Sequence, residues 1–165
     1  MSAIQRECSS TQPSCAPTKM HRGREKRGPQ QIGRSRGGPS TKLHAVVDAL
    51  GNPIRFALSE GQTHEMKHAS ALLDGVANAY VVADSAYSSA ALVQELESRN
   101  CQVVIANNPT HKQRDFDRHI YRERFLVEKF FQRIKRYRRI AMRFDKLARN
   151  FLAFVHLAAV LVWLC

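Results

Sequence analysis

The hydrophobic pattern divides the chain into a patternless start, an alternating middle and a helical end. Residues 1–40 show no apolar period and are rich in Ser, Pro, Gly, Arg and Lys. Such a segment cannot bury enough surface to offset the entropy of ordering it, so residues up to about 31 are expected to be a solvated tail. Residues 43–50 (LHAVVDAL), the Gly51-Asn52-Pro53 turn and residues 54–58 predict a β-hairpin. In 64–77, Met66, Ala69, Leu72, Leu73 and Val76 recur at helical spacing. The short apolar run 79–83 reads as a buried strand that ends at Asp84. Residues 88–99 read as a helix with Ser88 or Ser89 as N-cap, and 101–106 as a second buried strand stopped by Asn107-Asn108-Pro109. Strands alternating with helices imply an α/β fold with at least one parallel strand pair.

From Arg118 to about Tyr137 there is no Gly or Pro, and Phe125, Leu126, Phe130, Phe131 and Ile134 supply an apolar face. Residues 151–165 (FLAFVHLAAVLVWLC) are almost wholly apolar. They fall short of the roughly 20 residues a bilayer span needs. They are therefore expected to form a buried closing helix, with His156 a core histidine rather than a ligand.

Charge changes the picture. The 165 residues include 26 Lys and Arg against 14 Asp and Glu, for a net charge of +12. A polyanionic partner is implied, nucleic acid before membrane. The distribution is uneven: nine basic and two acidic residues in 1–42, three and seven in 43–110, fourteen and five in 111–165. A uniformly basic ribosomal protein would not need that acidic centre. Cysteines 8, 15, 101 and 165 form no CxxC pair, and residues 1–30 hold no apolar signal-peptide core. A reducing, cytoplasmic and nucleoid-associated setting is expected. In GRSRGGPSTK (33–42), Arg34, Arg36 and Lys42 flank glycines that permit close backbone approach to phosphate.

Two acids could carry chemistry. Asp84 stands at the carboxyl end of a predicted strand, where open α/β sheets place their sites. Glu128 lies on the following helix, with Tyr121, Arg124 and Lys135 at −7, −4 and +7 on one face. A carboxylate in a cationic stripe suits a metal-bound phosphodiester. The same spacing suits a simple Arg124–Glu128 ion pair on a solvated helix, and spacing alone leaves both readings open.

Tyr121-x2-Arg124-x3-Glu128-x6-Lys135 resembles the signature around the last acidic residue of DDE transposases from bacterial insertion sequences, the group often called the IS-four/IS-five superfamily. GRSRGGPSTKLHAVVDALGNPIRF (33–56), GQTHE (61–65), VVADSAYSS (81–89) and the run through RFDKLARNF (143–151) resemble the same group, over about residues 33–165. The resemblance implies an RNase H-like mixed sheet with flanking helices, and three acidic residues holding Mg²⁺ (or Mn²⁺) for DNA cleavage and strand transfer. Asp84 and Glu128 match the second and third acids. Tyr121, Arg124 and Lys135 match accessory positions, and Arg133, Arg136, Arg138 and Arg139 would extend the phosphate-contacting surface, with Arg34 and Arg36 beside it. DNA, both transposon ends and target, is the implied partner. No membrane partner is implied, and the complete enzyme would be a homo-oligomer.

The resemblance has one gap. No Asp precedes Asp48, so the first acid and its strand are expected to be missing, leaving an incomplete domain over 33–165 behind the basic segment 1–32. Residues 10–23 can be back-translated, with codons chosen to fit, so that another frame reads LDSAIVRAHQDASG, a strand of the expected kind. That motivates the hypothesis of a shifted reading frame, and the gene's DNA decides it. The expected function is a DDE transposase fragment that supplies two of three carboxylates and is inactive alone. The alternative is a basic DNA-binding remnant without chemistry.

Overall fold

The computed structural model describes residues 28–35, 38–106 and 117–164, together with the backbone of residues 2–10. Arg36 and the Asn107-Asn108-Pro109 strand stop lie outside the described residues. Six strands form one sheet: β1 (Ser2–Ser10), β2 (Gly33–Ser35), β3 (Gly38–Val47), β4 (Pro53–Glu60), β5 (Tyr80–Ala83) and β6 (Gln102–Ile105). Their order is β2-β3-β1-β5-β6, with β4 also on β3. β1 runs antiparallel to β3 and parallel to β5, and β5 runs parallel to β6. The sheet is thus mixed, as the alternation of strands and helices implied.

The expectation of a missing first strand is corrected here. The backbone of Ser2–Ser10 occupies the centre of the sheet, paired along eight residues with β3 and also with β5. No apolar period announces it. Hydrogen bonding to a neighbour on each side orders it instead, an effect of tertiary context that local pattern does not register.

The β3–β4 hairpin forms as predicted and is longer than its apolar stretch. Asp48 closes its turn: Oδ1 accepts from the Leu50 and Asn52 amides at 2.8 Å each, and Oδ2 accepts from Asn52 Nδ2 at 3.1 Å. Gly51 supplies the positive φ of 83° that the turn requires. Asp48 is therefore spent on the turn.

Two cores lie on opposite faces of the sheet. Leu43, Ala45, Val47, Val82 and Val104 face α4 (Phe125–Ile134) and α6 (Ala148–Leu164), which bury Val127, Phe130, Phe131, Ile134, Phe151 and Val155. Val46, Val81, Ala83 and Ile105 face α1 (Met66–Leu72) and α2 (Ala90–Ser98). The alternation Val81, Val82, Ala83 between the two cores is the period-2 signature of a strand buried on both sides. Ser89 is the N-cap of α2, its Oγ accepting from the Leu92 amide at 3.2 Å.

The predicted single helix from residue 118 is divided. α3 (Arg118–Tyr121) tightens into a 3-10 turn, Arg122–Arg124, before α4, and α5 (Arg138–Ala141) follows a break at Tyr137. Tyr121, Arg124 and Phe125 all keep right-handed helical dihedrals, so the stripe through Tyr121 and Glu128 survives the tightening.

The closing helix is less buried than expected. Leu157, Val160, Leu161, Trp163 and Leu164 are exposed. His156 is exposed as well, edge-on to Phe56 at 5.2 Å, and is not a core histidine. No described helix is long and apolar enough to cross a membrane. The RFDKLARNF run resolves as a clamp. Arg143, buried and at φ 38°, donates to the carbonyls of Gln31 and Asp145 and to Thr41 Oγ1, tying the stretch before β2 to the start of α6.

Candidate active site

Asp84 follows the last residue of β5. Val82 faces α4 and α6, and Asp84, two residues on and still extended, keeps that parity. Its Oδ1 accepts from the Ser85 amide at 2.6 Å and from Ser85 Oγ at 3.3 Å, capping the 3-10 turn Ser85–Tyr87. Glu128 stands in the first turn of α4, partly exposed, with Oε1 3.0 Å from Arg124 Nη2. The Arg124 guanidinium carbon lies 5.6 Å from the centroid of the Tyr121 ring. Tyr121, Arg124 and Glu128 therefore form one connected group, built from the spacing −7, −4 and 0.

The Tyr121 phenol joins that group to Asp84. Its pKa is raised above 10.0, chiefly by burial. Arg124 opposes the rise, while the Asp84 and Glu128 carboxylates both add to it. Both acids, 44 positions apart in sequence, therefore bear on the same phenol. The 3-10 turn Arg122–Arg124 packs on β1 and β5, which brings the helix stripe to the strand end.

The central strand passes this point. Ile4 pairs with Ala83, so the next register step sets position 5, filled by Gln5, level with Asp84. Positions 5 and 7 pair with Ala45 and Leu43, residues of the α4 face. Position 7 is Glu7. Among the described residues no group of three or more His, Cys, Asp or Glu could hold a metal ion. Two carboxylates suit one hard cation that keeps several waters, such as Mg²⁺. They do not by themselves supply a two-ion site with a shared ligand.

The remaining predicted residues separate into two kinds. Arg133, Lys135, Arg136 and Arg138 are exposed at the end of α4 and in the start of α5. Arg139 is already engaged: Nε and Nη2 donate to Asp145 at 3.0 Å each, and the guanidinium lies 3.7 Å over the Phe154 ring. It ties α5 to α6. Lys42 is not available to phosphate, since it is buried against Glu65 Oε1 at 2.6 Å and donates to the Thr63 carbonyl. Arg34 is exposed on β2, three strands from β5 in the sheet order, or roughly 14 Å by strand spacing. It is not part of the Asp84–Glu128 group.

Sequence reasoning missed Tyr87, His44 and Ser59, which form a buried chain of hydrogen bonds behind Asp84. The signal available was an aromatic three residues after a strand-ending acid, within the VVADSAYSS stretch.

A mixed sheet with an acid at a strand end, and a second acid and exposed cations on the adjoining helices, is an arrangement suited to chemistry on a phosphodiester. Comparison with known families makes it specific. The transposase DDE domain family matches residues 15–163, and the chain belongs to that family. A relative from Brucella ovis named "Putative transposase for insertion sequence element IS6501" is 41% identical over 128 residues, spanning 76% of this chain and 98% of the relative. Another, from Burkholderia cepacia, named "Putative transposase for insertion sequence element IS402", is 27% identical over 152 residues, or 85% of this chain and 69% of the relative. No solved structure matches the chain significantly. Family membership places the chain in DNA transposition.

Proposed function

We propose that this chain is an RNase H-like transposase catalytic domain in which Asp84 and Glu128 hold a divalent cation against a DNA phosphodiester. The strand order β3-β1-β5-β6, with β1, β5 and β6 parallel, supports the fold assignment. The observation that carries the site is the packing of the Arg122–Arg124 turn on β1 and β5, which brings the Tyr121–Arg124–Glu128 stripe to the strand end where Asp84 stands. Mg²⁺ or Mn²⁺, when bound, would supply Lewis-acid polarisation of a phosphoryl oxygen and a more acidic water or 3′-hydroxyl.

The protein's own groups have distinct parts in this reading. Arg124 orients Glu128 through its ion pair and balances the negative charge around the phenol. Tyr121 lies under the Arg124 guanidinium, its phenol influenced by both acids. Arg133, Lys135, Arg136 and Arg138 take backbone phosphates of a DNA end, contacts that fix register without reading bases. The complete enzyme would act as a homo-oligomer in the bacterial cytoplasm, on transposon ends and target DNA.

The test is direct Mn²⁺ binding alongside strand cleavage of terminal inverted-repeat DNA. Asp84→Asn and Glu128→Gln should each weaken Mn²⁺ binding and abolish any cleavage. Cleavage that survives both substitutions removes the metal-carboxylate mechanism. A second reading is a DNA-binding remnant inactive alone, supported by the exposed arginines 133, 136 and 138. It predicts salt-sensitive DNA binding with no Mn²⁺-dependent cleavage.

A further inference from the structure

We propose that Tyr87 and His44 are positioning residues for Asp84, acting from the opposite face of the sheet; this rests on the metal-binding reading of Asp84. The turn after β5 is held at both ends by one residue. The Tyr87 amide donates to the Asp84 carbonyl at 2.9 Å. The Tyr87 hydroxyl, at the other end of the same side chain, lies 2.7 Å from His44 Nδ1. His44 Nε2 in turn lies 2.8 Å from Ser59 Oγ. A neutral imidazole donates from one nitrogen and accepts at the other, and each hydroxyl can serve either way, so the chain closes in both directions.

Burial gives the arrangement its stiffness. Tyr87 and His44 are 0% exposed and Ser59 is 2% exposed. The imidazole of His68 lies tilted against His44 with centroids 5.6 Å apart. In such surroundings a polar atom that loses its partner pays its full desolvation cost. Sliding the turn along the strand axis, or rotating it, would pull the Tyr87 hydroxyl from His44, so only one placement is cheap. Asp84 has the parity of the α4 face, whereas Tyr87 packs in the α1–α2 core. The turn therefore straddles the sheet end, with the tyrosine anchored on one side and the carboxylate held on the other. The Asp84 carboxylate is capped by the Ser85 amide at 2.6 Å, so that amide reports on its placement. His44 and Ser59 come from the β3–β4 hairpin, which makes the hairpin part of the site's support.

The experiment uses the full chain and the variant Tyr87→Phe, which keeps the ring and removes the hydroxyl. Hydrogen exchange at the Ser85 amide should become about tenfold faster, while the Leu92 amide, capped by Ser89 on the adjacent helix, changes far less. Mn²⁺ affinity, measured by water-proton relaxation, should fall by about tenfold, in the range seen when groups that orient a ligand are removed. In an Asp84→Asn background the same change should leave Mn²⁺ affinity unaltered. Equal acceleration at Ser85 and Leu92, or a Mn²⁺ loss that persists without Asp84, overturns the proposal. If Tyr87→Phe does not fold, Ser59→Ala tests the far end of the chain by the same amide ratio. If the unsubstituted chain shows no Mn²⁺ binding that depends on Asp84, the metal reading fails, and the Ser85 to Leu92 ratio alone decides the positioning role.

Discussion

Arg124 holds the Glu128 carboxylate at 3.0 Å across one turn, where the chain passes from a 3-10 turn into α4. Both side chains are part-exposed, so the pair contributes only about 0.3–0.5 kcal/mol to stability. Its consequence is electrostatic. Arg124 lowers the Tyr121 pKa while Asp84 and Glu128 raise it. The Tyr121 titration should therefore move up in Arg124→Gln and down in Asp84→Asn and Glu128→Gln, with melting temperature nearly constant. Carbon-13 chemical shifts of ring-labelled tyrosine across alkaline pH would measure this. No response to Asp84→Asn would mean that the two acids do not share the phenol.

Exposed and engaged arginines should behave differently on DNA. Arg133, Arg136, Arg138 and Arg139 are all exposed, but Arg139 is bonded to Asp145 and lies over Phe154. Replacing any of the first three by Ala should reduce the slope of log affinity against log salt by about 0.9 per lost phosphate contact on duplex DNA. Arg139→Ala should leave that slope unchanged and lower the melting temperature instead. Binding measured between low and moderate salt separates the two outcomes, and a loss of slope in Arg139→Ala would restore it to the DNA surface.

Sequence pattern was informative where burial creates period and silent where pairing or packing creates order. Val81, Val82 and Ala83 read as a strand because both faces are covered, and Asp84 as a site because a strand ends there. Ser2–Ser10 could not be read, because its order comes from backbone hydrogen bonds to β3 and β5. Nor could the fate of individual cations. Arg138 and Arg139 are neighbours of one charge type, and only the tertiary position of Asp145 distinguishes them. His44 takes its meaning from Tyr87, 43 residues later.

The Arg139–Asp145 pair also sets a pH dependence. The Arg139 hydrogen bonds hold the Asp145 carboxyl below its ordinary value of 3.8. A group with a depressed folded pKa contributes stability above its unfolded pKa and loses it as pH falls through the folded one. The contribution should thus be complete at pH 6 and decline below about pH 4. Asp145→Asn should melt earlier than the unsubstituted chain at pH 6, with the gap closing as pH falls toward 2. A gap of equal size at both ends would mean that ionisation of Asp145 is not what stabilises the tie.

The last prediction follows from the register of the central strand. Position 5 lies level with Asp84 and pairs with Ala45, a residue of the face that α4 covers. Position 5 is a neutral Gln, and Asp there would add a carboxylate to the register level with Asp84. Under the proposed function, Gln5→Asp should strengthen Mn²⁺ binding by about tenfold, equivalent to about 1.4 kcal/mol, and convert a weak or absent cleavage into a measurable one. Glu7→Gln is the companion variant, since position 7 pairs with Leu43 on the same face. If Glu7 already supplies such a carboxylate, removing it weakens Mn²⁺ binding and the gain from Gln5→Asp is small. If it does not, Glu7→Gln changes nothing and Gln5→Asp carries the full effect. Calorimetric titration of Mn²⁺ into the four proteins, both singles, the double and the unsubstituted chain, gives the coupling between the positions. Identical affinities across all four would remove β1 from the site.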